Sequence, residues 1–559
     1  MTKSTGKGQS TRLVLSLLSG ALLIVIVGLP VLAILLYAVF PNFNTLSFAE
    51  PFSKLAPSLA DHKLIGATIN SIELSLGVTL LSALIAVPLG YFRARGAVPA
   101  GKAWDALFLI PFLIPPYIGS LAWMQVLQRN GFLEQILGFD LGDLLYSFPG
   151  MVTVMALHLF PLVYFAASRA FSLIGSRYGD VAKVFGGRPL SIFARIELPL
   201  AIPAILSSAL IVFILTIEEF GTPEILGRRF GFEVIVTAIH DKFTNWPIDL
   251  SGASVLCLIL IALAFIAYHL HLRMASRFDT SVETGTMSPT ASHRPLIQRA
   301  AILAAFFAVT LIGVILPVAS IAISGFMTTI SGGLAWDNFS LVNYAQIFSL
   351  GSDALVAVGT SLSLAVAAAI LTGVIALIVA FAVVRLRGRG TAFLDFMSIL
   401  PNALPGMAVA VGLILTWNLP IWPVSPYNTT AILLLAYLCL MLPYPIRMVS
   451  AQLRQLPTSL DDAAYISGAN EWVVILRVLA PILLPVSLAA GFIVFAVSTR
   501  ELVSSLMLAP PGVETVATYV FRQFDQGDIN VAMAMSMLVV VVSGSIIALG
   551  QKLQKDQKT

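Results

Sequence analysis

Asp462–Pro481 reads DAAYISGANEWVVILRVLAP and Asp180–Pro199 reads DVAKVFGGRPLSIFARIELP. Each has a glycine six residues after its aspartate and a proline 13 residues after that glycine, so Gly186 and Pro199 match Gly468 and Pro481 at an offset of 282. Two more stretches recur in the same order. Thr68–Arg95 and Thr360–Arg387 are both 28 residues and end on Arg-x-Arg-Gly (Arg93–Gly96 and Arg385–Gly388), at offset 292. Ile110–Pro115 (IPFLIP) and Leu400–Pro405 (LPNALP) place prolines four apart, at offset 290. Self-similarity over this length is the mark of a duplicated unit.

The 559 residues are 58% apolar and 11% charged, against roughly 45–50% and 25% in soluble chains. With a mean hydropathy of +0.93, the composition excludes an array of soluble domains, a disordered chain and a disulfide scaffold. Cys257 and Cys439 are the only cysteines, and both lie in apolar runs as small hydrophobes. A net charge of +4 and a pI near 9.0 would suit nucleic acid in a soluble protein. In a chain surrounded by membrane lipid the basic residues mark one face, so no nucleic-acid partner is expected.

A bilayer core needs about 20 apolar residues per helix. Twelve runs qualify, near 13–39, 64–92, 105–127, 149–172, 200–220, 250–272, 298–324, 353–384, 392–416, 427–448, 481–503 and 529–550. The first is too long for a signal peptide and lacks a cleavage site. With the amino terminus inside, 24 of the 32 Lys and Arg residues fall on inside loops and tails, which predicts cytoplasmic termini. The Ser/Thr/Pro-rich stretch after span six reads as a solvated linker. The expected organisation is a first half at 1–275, a cytoplasmic linker at 276–297 and a second half at 298–559. Each half has six spans, an even number, so the repeats run parallel. The fold class is all-α: a polytopic membrane protein of about 12 transmembrane helices in two six-helix repeats around an axis along the membrane normal. Pro111, Pro115, Pro401 and Pro405 are expected to kink spans three and nine.

The loops at 173–199 and 449–481 carry the duplicated segment on the basic side. A short helix with small residues (Ala182; Ala463, Ala464) offers a flat face that a partner can approach closely. Gly186 and Gly468 let the chain turn after it, and Asp180 and Asp462 are expected to cap it. This pattern resembles the E-A-A-x3-G-x9-I-x-L-P signature of the membrane subunits of binding-protein-dependent ABC importers, the type I permease family. The second copy departs by Asp462 for Glu. The first also has Val181 at the first alanine position, which puts its contact in doubt. The resemblance covers almost the whole chain and implies that Asp180, Ala182, Gly186, Asp462, Ala463, Ala464 and Gly468 belong to coupling helices. Those helices dock on two copies of an ATPase subunit. The alternative is a helix lying at the lipid interface.

The resemblance further implies no cofactor on this chain, ATP and Mg on the partner ATPase, and an extracytoplasmic substrate-binding protein. It implies a multi-pass protein of the bacterial inner membrane. The stretch Gly96–Ala103 (GAVPAGKA) resembles a P-loop, but Ala103 has no hydroxyl for magnesium and Pro99 interrupts it. With no nucleophile elbow, HExxH or CxxC pair either, an enzyme is not expected.

Ionisable residues at membrane depth face a bundle interior. Glu218-Glu219 and Arg500-Glu501 each begin 19 residues after their loop proline and are therefore equivalent positions of the two halves. Around a twofold axis they should face one another, either as an electrostatic gate on a translocation pathway or as a permanent ion pair bracing the halves. His158 reads as a packing residue. A metal site cannot be named from the sequence. The fused two-half form, with Arg500–Leu502, Glu514-Thr515 and the Phe220–Glu224 stretch, looks most like ferric-iron permeases. Permeases for thiamine, phosphonate or polyamine remain alternatives, as does an ion-coupled secondary transporter.

Overall fold

The computed structural model describes residues 5–174, 177–281, 295–386 and 390–556. Lys3, Arg387, Gly388, Arg389, Arg294, Lys558 and most of the expected linker (282–294) lie outside the described residues. Eight helices are long and apolar enough to cross a bilayer: Thr11–Val39, His62–Ala94, Phe148–Ile174, Pro189–Ile217, Leu250–Arg277, Leu296–Phe326, Asp353–Arg385 and Glu471–Ser498. Three bent pairs make eleven: Gly101–Phe112 with Pro116–Leu137, Thr391–Ala403 with Gly406–Trp417, and Thr430–Met441 with Pro443–Gln455. The shorter apolar helix Ile529–Val542 takes the twelfth place. They are numbered below as spans one to twelve in chain order. Long apolar side chains stand out into the surroundings along them, Leu80, Leu84 and Ile370 among them. Exposed apolar surface on this scale belongs against lipid.

The prolines shape the spans in two ways. Spans one, five, seven and eleven each contain a widened π turn, at Ile24–Gly28, Phe193–Glu197, Leu311–Ile315 and Val474–Leu479. Each turn ends two residues before a proline: Pro30, Pro199, Pro317 and Pro481. Proline has no N–H to give the preceding turn, and the wider turn carries the ladder past the gap without breaking the helix. Spans three and nine break instead. Pro111 lies inside its helix, and the break falls at Ile114, with Pro115 before the next helix. In span nine Leu400–Ala403 is a 3-10 turn and Pro405 precedes Gly406–Trp417, at a bend of 115°.

The π turns put Pro30 and Pro317 in register at offset 287, and the first span of each half packs on the third span of the other. At Gly412 in span nine, an added Cβ would lie 2.6 Å from the Pro30 carbonyl oxygen of span one, so only glycine admits that approach. In the other half Ser320 of span seven donates to the Ala122 carbonyl of span three at 2.9 Å. Each half thus lends its first helix to its neighbour. A cavity of about 700 Å³ lies between the halves, and spans three, four, five, nine, ten and eleven all contribute to it.

Candidate functional site

The two loops form the same device. Arg177–Val184 and Ser459–Ile466 are short helices, and each ends on a glycine at positive φ, Gly186 at +81° and Gly468 at +85°. The amide after each glycine folds back five residues, Gly187 N–H to Ala182 O at 2.8 Å and Ala469 N–H to Ala464 O at 3.0 Å. That closure needs a left-handed residue, which glycine adopts without strain. Ala463 is exposed, and Ala182 and Ala464 are partly so. Asp462 does not cap its helix: the helix begins at Ser459, just after Pro457, so Asp462 sits a turn inside. Its charge there still suits the amino-terminal dipole. Asp180 likewise lies within its helix, and its side chain is outside the described residues. Beside the helices stand Val184, Phe185, Leu190 and Ile466, each more than three-quarters exposed. An exposed apolar face of this kind is suited to contact with another protein or with the lipid surface.

Each loop is tied to the second span of its own half by an arginine and a buried carboxylate. In the first half Arg95 pairs with Glu197; in the second Arg385 Nε meets Asp461 at 2.7 Å. At offset 282 the acids do not correspond. Glu197 matches Leu479, and Asp461 matches Gly179. Gly179 leaves the space that the Glu197 carboxylate takes, since a Cβ there would lie 3.0 Å from it. The two anchors do the same work from different positions: at offset 292 Arg385 matches Arg93 and not Arg95, so the arginine and the carboxylate have both shifted. Burial pushes the Asp461 carboxyl above the usual carboxylate range, although Arg385 opposes the shift.

All four of Glu218, Glu219, Arg500 and Glu501 line the cavity between the halves, with His158, Tyr117 and Tyr444. Their bonding differs from a direct confrontation of arginine and acids. Glu219 accepts the Thr222 amide at 2.9 Å and so holds the start of the helix Gly221–Ile225. Glu501 accepts the Ser504 amide at 3.0 Å, the Ser504 hydroxyl at 2.6 Å and the Ser505 amide at 3.1 Å, and so holds Val503–Leu508. These carboxylates occupy equivalent positions and do equivalent work on backbone donors. Arg500 reaches from the second half to the first: its Nη1 donates to the Phe112 carbonyl at 2.8 Å, and its guanidinium lies 5.6 Å from the Phe112 ring centroid. The Glu218 carboxylate accepts no hydrogen bond among the described residues, which leaves it open to the cavity.

Among the described residues no group of three His, Cys, Asp or Glu side chains is arranged to hold a metal ion. Cys257 and Cys439 are free and buried. Sequence reasoning missed Phe112, Thr222, Ser504 and the loop anchors. The signal for Phe112 was present, because Pro116 four residues on cannot donate to its carbonyl. Thr222 and Ser504 each stand three residues after their glutamate, a side-chain-to-amide spacing familiar from helix starts.

Comparison with known proteins follows the same two-part pattern. The family model described as binding-protein-dependent transport system inner membrane component matches residues 9–279 and 372–555. The ferric transport system permease protein FbpB of Actinobacillus pleuropneumoniae is 26% identical over 490 residues, 86% of this chain and 69% of that protein. The Fe(3+)-transport system permease protein FbpB 2 of Haemophilus influenzae is 23% identical over 541 residues, 95% of this chain and 97% of that protein. The molybdenum transport system permease protein ModB of Escherichia coli is 28% identical over 205 residues, 35% of this chain but 89% of its own length.

Proposed function

This chain belongs to the binding-protein-dependent transport system inner membrane components, and from that premise we propose that it forms the complete translocation pathway of an ATP-driven importer of ferric iron. Family membership makes it a multi-pass inner-membrane permease and not an enzyme, working with a substrate-binding protein and an ATPase. The finer reading concerns cargo, stoichiometry and orientation. The observation that carries the cargo is architectural: the ferric permeases FbpB and FbpB 2 match across both halves, whereas the molybdenum permease corresponds to part of this chain. A cavity holding three glutamates is compatible with a hard cation, for which oxygen donors are preferred.

In this reading each loop receives one ATPase subunit, with Asp180, Ala182 and Gly186 on one side and Asp462, Ala463, Ala464 and Gly468 on the other. Two ATPase copies then bind ATP and Mg, and this chain binds neither. The loops, both termini and the 276–297 linker between the halves 1–275 and 298–559 lie in the cytoplasm. Opposite them the binding protein delivers cargo to the cavity. Arg500 and Glu218 are the gate. Glu219 and Glu501 hold the short helices beside it, and the breaks near Pro115 and Pro405 let the walls move.

The test is uptake into vesicles holding this chain with its ATPase and binding protein. ATP-dependent accumulation of radioactive ferric iron, not competed by thiamine, phosphonate or polyamine, is expected. Accumulation of one of those instead, or iron uptake that persists without the ATPase, overturns the reading.

A further inference from the structure

Arg12 Nε donates to Glu471 Oε1 at 2.9 Å, joining residues 459 apart in sequence. Arg12 stands near the start of the first span, and Glu471 begins the helix that leads from the second loop into span eleven. The Glu471 side chain is 2% exposed and that of Arg12 55%. The same guanidinium lies 5.7 Å from the ring centroid of Tyr465, which is on the loop's short helix. Glu471 Oε2 is buried with no hydrogen-bond partner. A buried carboxylate in that condition depends on a nearby cation, because without one it must lose its charge or regain water.

The duplication supplies an internal control. At offset 287, set by Pro30 and Pro317, Arg12 corresponds to Arg299. At offset 282, set by Gly186 and Gly468, Glu471 corresponds to Pro189. The arginine is present twice and its acid once. Arg299 is exposed, and no ion pair to it occurs among the described residues. Among the described residues the first loop has its anchor to its own second span and no ion pair to the first span of the other half, while the second loop has both.

We infer that Arg12 is a positioning residue, a strap from the amino-terminal helix that fixes the second loop, and that the two loops are mechanically unequal as a result. Displacement of the second short helix pulls on the Tyr465 and Glu471 contacts and hence on span one. Span one is in close contact with span nine at Gly412, and span nine contributes Pro401, Asn402, Leu404 and Gly406 to the cavity. Among the described residues the first loop has no such connection. This rests on the reading of the loops as ATPase docking sites, but the strap itself is a property of this chain alone.

The experiment uses the purified full chain carrying one added cysteine, Ser467→Cys in the second loop or Val184→Cys in the first, with the two native cysteines buried. Thiol labelling rates report loop mobility without any partner. Arg12→Ala is expected to raise labelling at 467 about fivefold, on the scale of a part-exposed ion pair, and to leave 184 unchanged. Arg12→Lys restores most of the slow rate. In a Glu471→Gln background Arg12→Ala adds much less than in the wild type, because the ion pair is already broken and the Tyr465 contact is what is left to lose. With the ATPase bound, the ratio of binding-protein-stimulated to basal hydrolysis falls by a similar factor. Equal acceleration at both loops, no acceleration at either, or additive effects of the two substitutions overturns the strap. If the labelling result holds and the ATPase does not bind the wild-type chain, the docking reading fails and the strap stands.

Discussion

Arg500 Nη1 sits 2.8 Å from the carbonyl oxygen of Phe112, so a side chain of the second half completes the backbone of the first. The bond has a backbone origin. In an unbroken helix the Phe112 carbonyl would accept from residue 116, which is proline, and that of Pro111 from residue 115, also proline. Ile114 N–H takes the Pro111 oxygen at 3.2 Å and Arg500 takes the other. The break in span three and the charge at the end of span eleven are therefore one arrangement.

Arg500→Ala leaves the Phe112 carbonyl unsatisfied, a cost of about 1–3 kcal/mol for a buried acceptor. If the arrangement closes the pathway, that cost falls on the closed state and the equilibrium moves toward the open one. The expected outcome is basal ATP hydrolysis raised several-fold without binding protein. Basal hydrolysis unchanged per folded complex, in a protein of lower thermal stability, would make Arg500 a brace and end the gate assignment.

Glu501 takes four donors from two residues, the amides and hydroxyls of Ser504 and Ser505, whereas the close contact to Glu219 is the Thr222 amide. Hydrogen bonds to a charged group contribute about 1.5–3 kcal/mol each in favourable cases, so the two positions should be unequal. Glu501→Ala is expected to lower thermal stability more than Glu219→Ala. Proteolysis should begin near Val503–Leu508. Equal losses would mean that the cavity, and not the caps, sets the cost.

The twelve spans were legible because each is an apolar run long enough to cross a bilayer, and the repeats because prolines and glycines kept their spacing. The breaks at Ile114 and Pro405 lay inside stretches marked by paired prolines. The contacts between halves were not legible. Nothing local in Gly412 announces that Pro30, nearly four hundred residues earlier, lies against it. The loop anchors were hidden for another reason. Arg95 with Glu197 and Arg385 with Asp461 perform the same task from positions that do not correspond, and a search for identical residues passes over an ion pair whose two members have both moved.

At Gly412 an added Cβ would meet the Pro30 carbonyl oxygen at 2.6 Å and its carbonyl carbon and ring Cβ at 2.9 Å. These are backbone and ring atoms that cannot swing aside. Gly412→Ala should cost about 1–3 kcal/mol as overpacking, and Gly412→Leu should abolish folded protein. Thermal stability of the detergent-solubilised chain checks the first and yield the second. A Gly412→Ala protein of wild-type stability would show that spans one and nine are further apart than described.

Orientation has its own test. The 276–297 linker is proposed to be cytoplasmic, so protease added to right-side-out cells should leave it intact, and protease added to inverted vesicles should divide the chain into halves. Cleavage from the outside would reverse the topology and with it the assignment of both loops.

Gly186 and Gly468 share a left-handed conformation, so alanine at either position introduces the same backbone strain, about 1–2 kcal/mol. A docking face adds a second, steric requirement that strain alone does not have. Gly186→Ala and Gly468→Ala should therefore both lose some stability and keep the ATPase bound. Gly468→Arg and Ala464→Glu place a bulky charge where a partner must approach closely, and burying that charge without a counter-ion is costly. Both should lose ATPase co-purification and transport while the binding protein still docks. Gly186→Arg should be better tolerated, because Val181 already departs from the pattern on that side. The alanine variants separate the two causes: if Gly468→Ala removes the ATPase as completely as Gly468→Arg, the glycine acts through its backbone alone. If Gly468→Arg and Ala464→Glu both retain full transport, the short helices are not where the motor engages the chain.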